Sequence, residues 1–286
     1  MVRSRPRPNA ATLLGIALAI TVVASLVAGA RRHERAGSAA HSASARPATA
    51  ARRRPGRPTD DQVIERVRRI TPWVTQGHTR RKLVALTFDD GPGPLTPAFL
   101  RELRKLHAPA TFFQVAQSVN AHPGTARREH AAPFAVGTHT ATHAHLPQIG
   151  AGGQRREVAG GARVVDENAR SYPRMFRPPY GEWNSETLAE LRRHRMLMVL
   201  WTLTTRDWAG LSTGAIVASV IHGVRPGAIV LMHDFGGLTR EPTLHALPRI
   251  VHALRRKGYR FVTVPEMLRL APPRRRPPRP PAPYPA

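Results

Sequence analysis

An α/β fold with a parallel sheet flanked by helices is what this 286-residue chain predicts, on three observations. Short apolar runs alternate with segments of helical period. Pro- and Gly-rich joints separate them, as at Pro92-Gly93-Pro94 and Arg225-Pro226-Gly227. The side chains able to do chemistry stand at the ends of the apolar runs, the edge of a parallel sheet where such folds place their sites.

The first strand is read at residues 83–88, an apolar run that stops on Asp89, Asp90 and a Gly-Pro turn. Helical period follows at 97–107, then strands at 110–115 and 134–139. The helix at 154–168 leads to a short strand at 175–178 and a helix at 185–194. Further strands at 196–202 and 228–232 enclose a helix at 213–222, and a helix at 243–256 precedes the last strand at 260–264. Strands that read as continuous apolar runs are covered on both faces, and strands alternating with helices pair in parallel. The pattern does not separate a closed barrel from an open doubly wound sheet.

Both ends of the chain differ from this middle. Arg3, Arg5 and Arg7 lie in a basic segment, 1–9, ahead of an apolar run at 10–30. At ~1.5 Å per helical residue that run spans a ~30 Å hydrocarbon layer, so it reads as a transmembrane anchor or a cleaved signal peptide. Either reading exports the chain. Arginines flank the run on both sides, so charge does not set its orientation. Residues 31–81 read as a disordered Arg/Ala/Pro-rich linker and lead-in, and 271–286 as a disordered Pro/Arg tail. The net charge of +26 is carried almost wholly by arginine, with only Lys82, Lys105 and Lys257. Coding bias explains the choice of arginine, while attachment to anionic wall polymers or lipid head groups is the functional reading of the basic tails. No aromatic residues interleave with the tail arginines, so no nucleic-acid partner is expected. The chain has no cysteine, hence no disulfide and no thiolate ligand.

Two clusters carry chemistry. Adjacent carboxylates at a strand end repel unless a cation or a proton transfer compensates them, although Asp-Gly-Pro is also ordinary turn chemistry. His139 and His143, four apart, can converge on one ion from a helical turn or a loop. With one carboxylate they would make a two-His, one-carboxylate site with open positions.

Thr87-Phe88-Asp89-Asp90-Gly91-Pro92 followed by His139-Thr140-x-x-His143 resembles the first two motifs of the NodB-homology polysaccharide deacetylases, carbohydrate esterase family 4. Arg177-Pro178-Pro179-Tyr180-Gly181, Asp207-Trp208 and Leu231-Met232-His233 resemble the remaining three, in the family's order. The resemblance covers 82–270, the expected catalytic domain, and implies a distorted (β/α)7 barrel. It also implies that Asp90, His139 and His143 bind one divalent metal ion, usually zinc, and that Asp89 is the general base held by Arg177. His233 would be the general acid, oriented by Asp207, and the backbone amide of Tyr180 an oxyanion donor. Trp208 and Leu231 would wall the pocket for the acetyl methyl, though each reads equally as core. Ala141, Thr142, Ala144 and Thr204 depart from the usual family residues without removing a ligand or proton carrier.

The implied activity is hydrolysis of N-acetyl groups on a β-linked amino-sugar polymer, peptidoglycan or a chitin-like glycan. O-deacetylation of xylan and non-catalytic wall binding are the competing readings. The second gains nothing from two repelling carboxylates beside two histidines.

Overall fold

The computed structural model describes residues 57–273. The expected anchor at 10–30, most of the linker and the tail beyond 273 lie outside the described residues. The chain enters with α1 (Asp60–Arg68) and the short strand β1 (Trp73–Val74). β2 (Leu83–Asp89), α2 (Thr96–Lys105) and β3 (Ala110–Gln114) follow, then the short helices α3 (Ala116–Ala121) and α4 (Pro123–Glu129). β4 (Ala135–Thr138) leads into α5 (Ala151–Ala169), β5 (Met175–Phe176) and α6 (Ser185–Arg193). β6 (Leu197–Val199), β7 (Leu203–Thr204), α7 (Thr213–Gly223) and β8 (Ala228–His233) come next. The described fold ends with α8 (Glu241–Arg256), β9 (Arg260–Phe261) and α9 (Val264–Leu270).

Every ladder between these strands is parallel, in the order β1-β6-β5-β4-β3-β2-β8-β7, with β9 also on β2. The sheet curls. β6 pairs with β5, and only a few residues on β7 pairs with β8, so one run of chain touches both sides of the sheet. That run was expected as one strand at 196–202. It divides because the buried Arg177 guanidinium takes the carbonyls of Val199 (3.0 Å) and Leu200 (3.4 Å) out of the ladder.

The lead-in before residue 82 is folded rather than disordered from Thr59 on. Thr59 and Gln62 form a capping box for α1, which buries Val63, Ile64 and Val67. The strand expected at 260–264 is cut short because Thr263 accepts from Glu266 N and starts α9, with Pro265 in its first turn. The two short helices α3 and α4 carry too few apolar residues to show a helical period. Among the described residues no helix is long and apolar enough to cross a membrane.

Strand parity sorts the core. On β2, Leu83 and Ala85 join one apolar cluster with β6 and α9, while Val84, Leu86 and Phe88 join another with α2, α7 and α8. β8 divides the same way, Ile229 and Leu231 against Val230 and Met232. Alternate residues of a strand point to opposite faces, so Asp89 and His233 continue the inner series. They are also register partners across β2 and β8.

Candidate active site

The inner-face parity delivers Asp89 into the sheet's curl, where it is buried. Its Oδ1 accepts from Arg177 Nη1 at 2.7 Å, and Oδ2 lies 3.7 Å from His139 Nε2. Asp90 is one residue past the parity rule, and its backbone breaks to a φ of 74°. That turn sends its carboxylate to the same cleft, 3.2 Å from His143 Nε2 and 3.6 Å from His139 Nε2. The room for it comes from Gly236, where a Cβ would stand 2.5 Å from Asp90 Oδ2. Thr140, His143, Tyr180 and Arg206 also take positive φ, at 73, 65, 59 and 55°. Non-glycine residues in this region cost energy, and here they gather around one cleft.

His139 and His143 sit on a loop after β4. His139 Nδ1 is 2.7 Å from Arg177 O, and a carbonyl only accepts, so Nδ1 carries the proton and Nε2 offers its lone pair. Burial, partly offset by Asp89 and Asp90, brings the His139 pKa down to about 4, which keeps the ring neutral as a ligand must be. His143 Nδ1 meets the Tyr180 hydroxyl at 3.2 Å, leaving its Nε2 facing Asp90. One donor atom from each of Asp90, His139 and His143 lies within 4.8 Å of the others. Asp90 Oδ1 is buried without a hydrogen-bond partner, facing the two Nε2 atoms. Burial works against the Asp90 charge, but the neighbouring His143, His233 and His139 hold it well below the usual carboxylate range. An ionised carboxylate, two imidazole lone pairs and an orphaned oxygen fit a divalent ion.

The loop carrying both histidines is tied down by residues that no sequence pattern marked. Glu157 of α5 accepts from Ala141 N (3.0 Å), Thr142 N (2.9 Å) and Thr142 Oγ1 (2.8 Å). Thr140 Oγ1 accepts from His143 N at 3.0 Å, so this threonine orients the loop. Gly161 lets α5 approach, since a Cβ there would fall 2.7 Å from Thr140 C. On the other flank Thr96 donates to the buried Asp234 and accepts from Gly93 N, fastening the Gly91–Thr96 turn to the loop after β8. A local signal exists only for Asp234, which follows His233 directly.

Across the cleft His233 Nδ1 is 2.8 Å from Asp207 Oδ1. Asp207 is buried on a 3-10 turn after β7, and its Oδ2 also accepts from His233 N and Thr243 Oγ1, each at 2.9 Å. Burial alone would depress the His233 pKa, but Asp207, with Asp90 and Asp89, raises it to about 9. The imidazolium therefore persists through neutral pH, and its proton is lost as pH rises through about 9. Asp207→Asn should remove the dominant opposing charge, let burial win, and move the alkaline limb of activity to lower pH. A pH–rate profile of both proteins checks this; an unmoved limb contradicts the assignment.

The cleft has a volume of about 520 Å³ and is lined by both carboxylates, His139, His143, His233, Tyr180, Trp208 and Leu231 among others. Leu231 is buried on its floor and Trp208 half-exposed at its rim. Of the candidate residues, all but Arg177 and Asp207 line the cleft, and those two are buried behind it on Asp89 and His233. Residues the sequence reading passed over are also there: His145 stacks on the Tyr180 ring at 3.7 Å and pairs with Glu182 at 3.0 Å.

Comparison with known proteins gives this arrangement a family. The polysaccharide deacetylase profile matches residues 76–199. A peptidoglycan-N-acetylglucosamine deacetylase of Bacillus cereus is 32% identical over 68% of this chain and 71% of that protein. A chitooligosaccharide deacetylase of a Bradyrhizobium species is 35% identical over 64% of this chain and 90% of its own. The crystal structure of the Bc1960 peptidoglycan N-acetylglucosamine deacetylase, in complex with a hydroxamate, superposes with a TM-score of 0.66 at 31% identity, covering 68% of this chain and 92% of that one. The chain belongs to the polysaccharide deacetylase family, the NodB-homology or carbohydrate esterase 4 group. Its curled parallel sheet with outer helices matches the fold that the motifs implied.

Proposed function

We propose that this chain hydrolyses N-acetyl groups on a β-linked amino-sugar polymer, releasing acetate and a free amine. It is thereby a hydrolase of carbon–nitrogen bonds other than peptide bonds. The observation that carries the reading is the convergence in one cleft of a three-donor metal set, a second carboxylate, and a histidine charged by its own aspartate.

A divalent ion held by Asp90, His139 and His143 supplies Lewis acidity toward water and the acetyl carbonyl when bound. Asp89 takes the proton of the attacking water at Oδ2, because Oδ1 is held by Arg177. His233 gives its proton from Nε2 to the departing nitrogen, since Nδ1 is held by Asp207. The Tyr180 amide stabilises the oxyanion. Trp208 and Leu231 receive the acetyl methyl.

Peptidoglycan or a chitin-like glycan is the substrate class we infer, supported by the names of the relatives at 32% and 35% identity. Zinc is the metal that three N/O donors with open positions favour. The apolar run at 10–30 supports action outside the cell, anchored or secreted, with the basic tails on anionic wall polymers.

The test is acetate release from N-acetylated chitooligomers, peptidoglycan and acetylated xylan, with and without chelator. Acetate from the amino-sugar substrates, lost with chelator, is expected; release from xylan alone would reassign the chain as an O-deacetylase, and none at all would favour wall binding. Purified protein should also hold about one divalent ion per chain, and His139→Ala/His143→Ala should hold none. Stoichiometric metal in that double variant, measured by elemental analysis, would refute the ligand set.

A further inference from the structure

Because the strands run parallel, they all start at the pole opposite the cleft, and the approaches to four of those starts are basic, whereas Arg174 before β5 and Arg195 before β6 are paired with Asp61 and Glu65. Arg-Arg-Lys occupies 80–82 before β2 and recurs at 255–257 before β9; Arg225 precedes β8 and Lys105 precedes β3. All of these side chains are exposed. They form one surface, since Lys82 Nζ donates to Lys257 O at 2.8 Å, Lys257 Nζ to Ile221 O at 2.7 Å, and Arg255 Nη2 to Leu106 O at 2.6 Å. The sequence contributes no acid to it: none lies between Glu65 and Asp89, Glu102 and Glu129, Asp207 and Asp234, or Glu241 and Glu266. Coding bias selects arginine over lysine but does not clear acids from the side of this pole formed by β2, β3, β8 and β9, and all three lysines of the chain are here.

Cations at helix C-termini complement the helix dipole, which accounts for Arg225, Arg255 and Lys257 on carbonyls. It does not account for Arg80, Arg81 and Arg260, which lie outside helices. With Arg256, they make no side-chain hydrogen bond or ion pair among the described residues. Both ends of the described chain leave from the same pole. Ala271 O accepts from His78 N at 3.3 Å, two residues before the first basic triplet, and Arg57 pairs with Glu266 of α9. Beyond Arg57 the sequence runs back through arginines to the apolar stretch at 10–30.

We propose that this pole docks on an anionic phospholipid bilayer, turning the catalytic cleft away from the membrane. A bilayer-length apolar run in the same chain selects the lipid surface over a free polyanion. The inference does not rest on the deacetylase reading.

The absence of cysteine permits a direct test on the full chain, reconstituted in phosphatidylcholine vesicles with or without half phosphatidylglycerol. Single labels at His222→Cys, on the basic pole, and Leu238→Cys, beside the cleft, report energy transfer to a headgroup dye. With phosphatidylglycerol the His222 label should lie near the bilayer and the Leu238 label far from it. Arg80→Gln/Arg81→Gln/Arg256→Gln/Arg260→Gln, which leaves both tails intact, should erase the difference. Each cation near such a surface is worth about fivefold in partitioning, so removing four should lower the anionic-lipid preference by about several hundredfold. Unchanged thermal unfolding verifies the variant's fold independently of turnover. Equal transfer from both labels would overturn the proposal. So would a quadruple variant that keeps its bilayer distance, including one that loses only adsorption to soluble poly(glycerol phosphate).

Discussion

Asp89→Asn should keep its metal and lose about 10²–10⁴-fold in turnover, the usual cost of removing a general base. Asp90→Asn should do the reverse, losing metal affinity and recovering part of its activity at high metal concentration. The two residues are neighbours in sequence with opposite surroundings. Asp89 has a guanidinium at 2.7 Å, while Asp90 faces two imidazole nitrogens at 3.2 and 3.6 Å with one oxygen orphaned. Asparagine at 89 keeps an oxygen for Arg177 but accepts no proton from water. Asparagine at 90 keeps the shape but removes the charge that a cation would offset. Metal content by elemental analysis and acetate release, measured on both variants, separate the roles. Loss of metal in Asp89→Asn with retention in Asp90→Asn would reverse the assignment.

The central strands β2, β3 and β8 were legible because they are buried on both faces and therefore largely apolar. All seven expected strands occur: β2 and β8 run one residue further, the one at 196–202 divides, and the others are trimmed. The trimming follows long-range bonds that local pattern does not contain, as where Arg177 draws on Val199 and Leu200 from another strand. α1 was hidden by its neighbourhood, an arginine-rich stretch whose composition masks three buried aliphatics at helical spacing. The chemical residues were legible because they stand at strand ends in recognisable order. Their supports were not. Glu157 lies mid-helix and Thr96 at a helix start, and nothing in their local sequence distinguishes them from surface polar residues. Strand parity places only Asp89 on the inner face, while the division of work between Asp89 and Asp90 is what the family resemblance implies.

Arg177→Met should destabilise the fold by about 3–5 kcal/mol, the cost of stranding one member of a buried ion pair. The guanidinium is fully buried and reaches four groups: Asp89 Oδ1 at 2.7 Å, Thr87 Oγ1 at 2.8 Å, Val199 O at 3.0 Å and Leu200 O at 3.4 Å. It also lies 4.1 Å over the Phe113 ring. Burial lowers the Arg177 pKa, and Asp89 works against that shift, so the carboxylate stabilises the buried guanidinium. Methionine fills the volume but leaves an ionised carboxylate and two carbonyls without donors. For a domain of this size the loss corresponds to a melting temperature lower by about 10 °C. Arg177→Lys should fall between, because one ammonium cannot span the carbonyls and the carboxylate as the planar fork does. Adding Asp89→Asn to Arg177→Met removes the stranded charge, and the double variant should recover about 1–3 kcal/mol relative to additivity. Thermal and denaturant unfolding of the four proteins in that cycle measure the coupling. Strict additivity would mean that Arg177 is held by its carbonyls and ring contacts alone, leaving Asp89 to be positioned by the strand end itself.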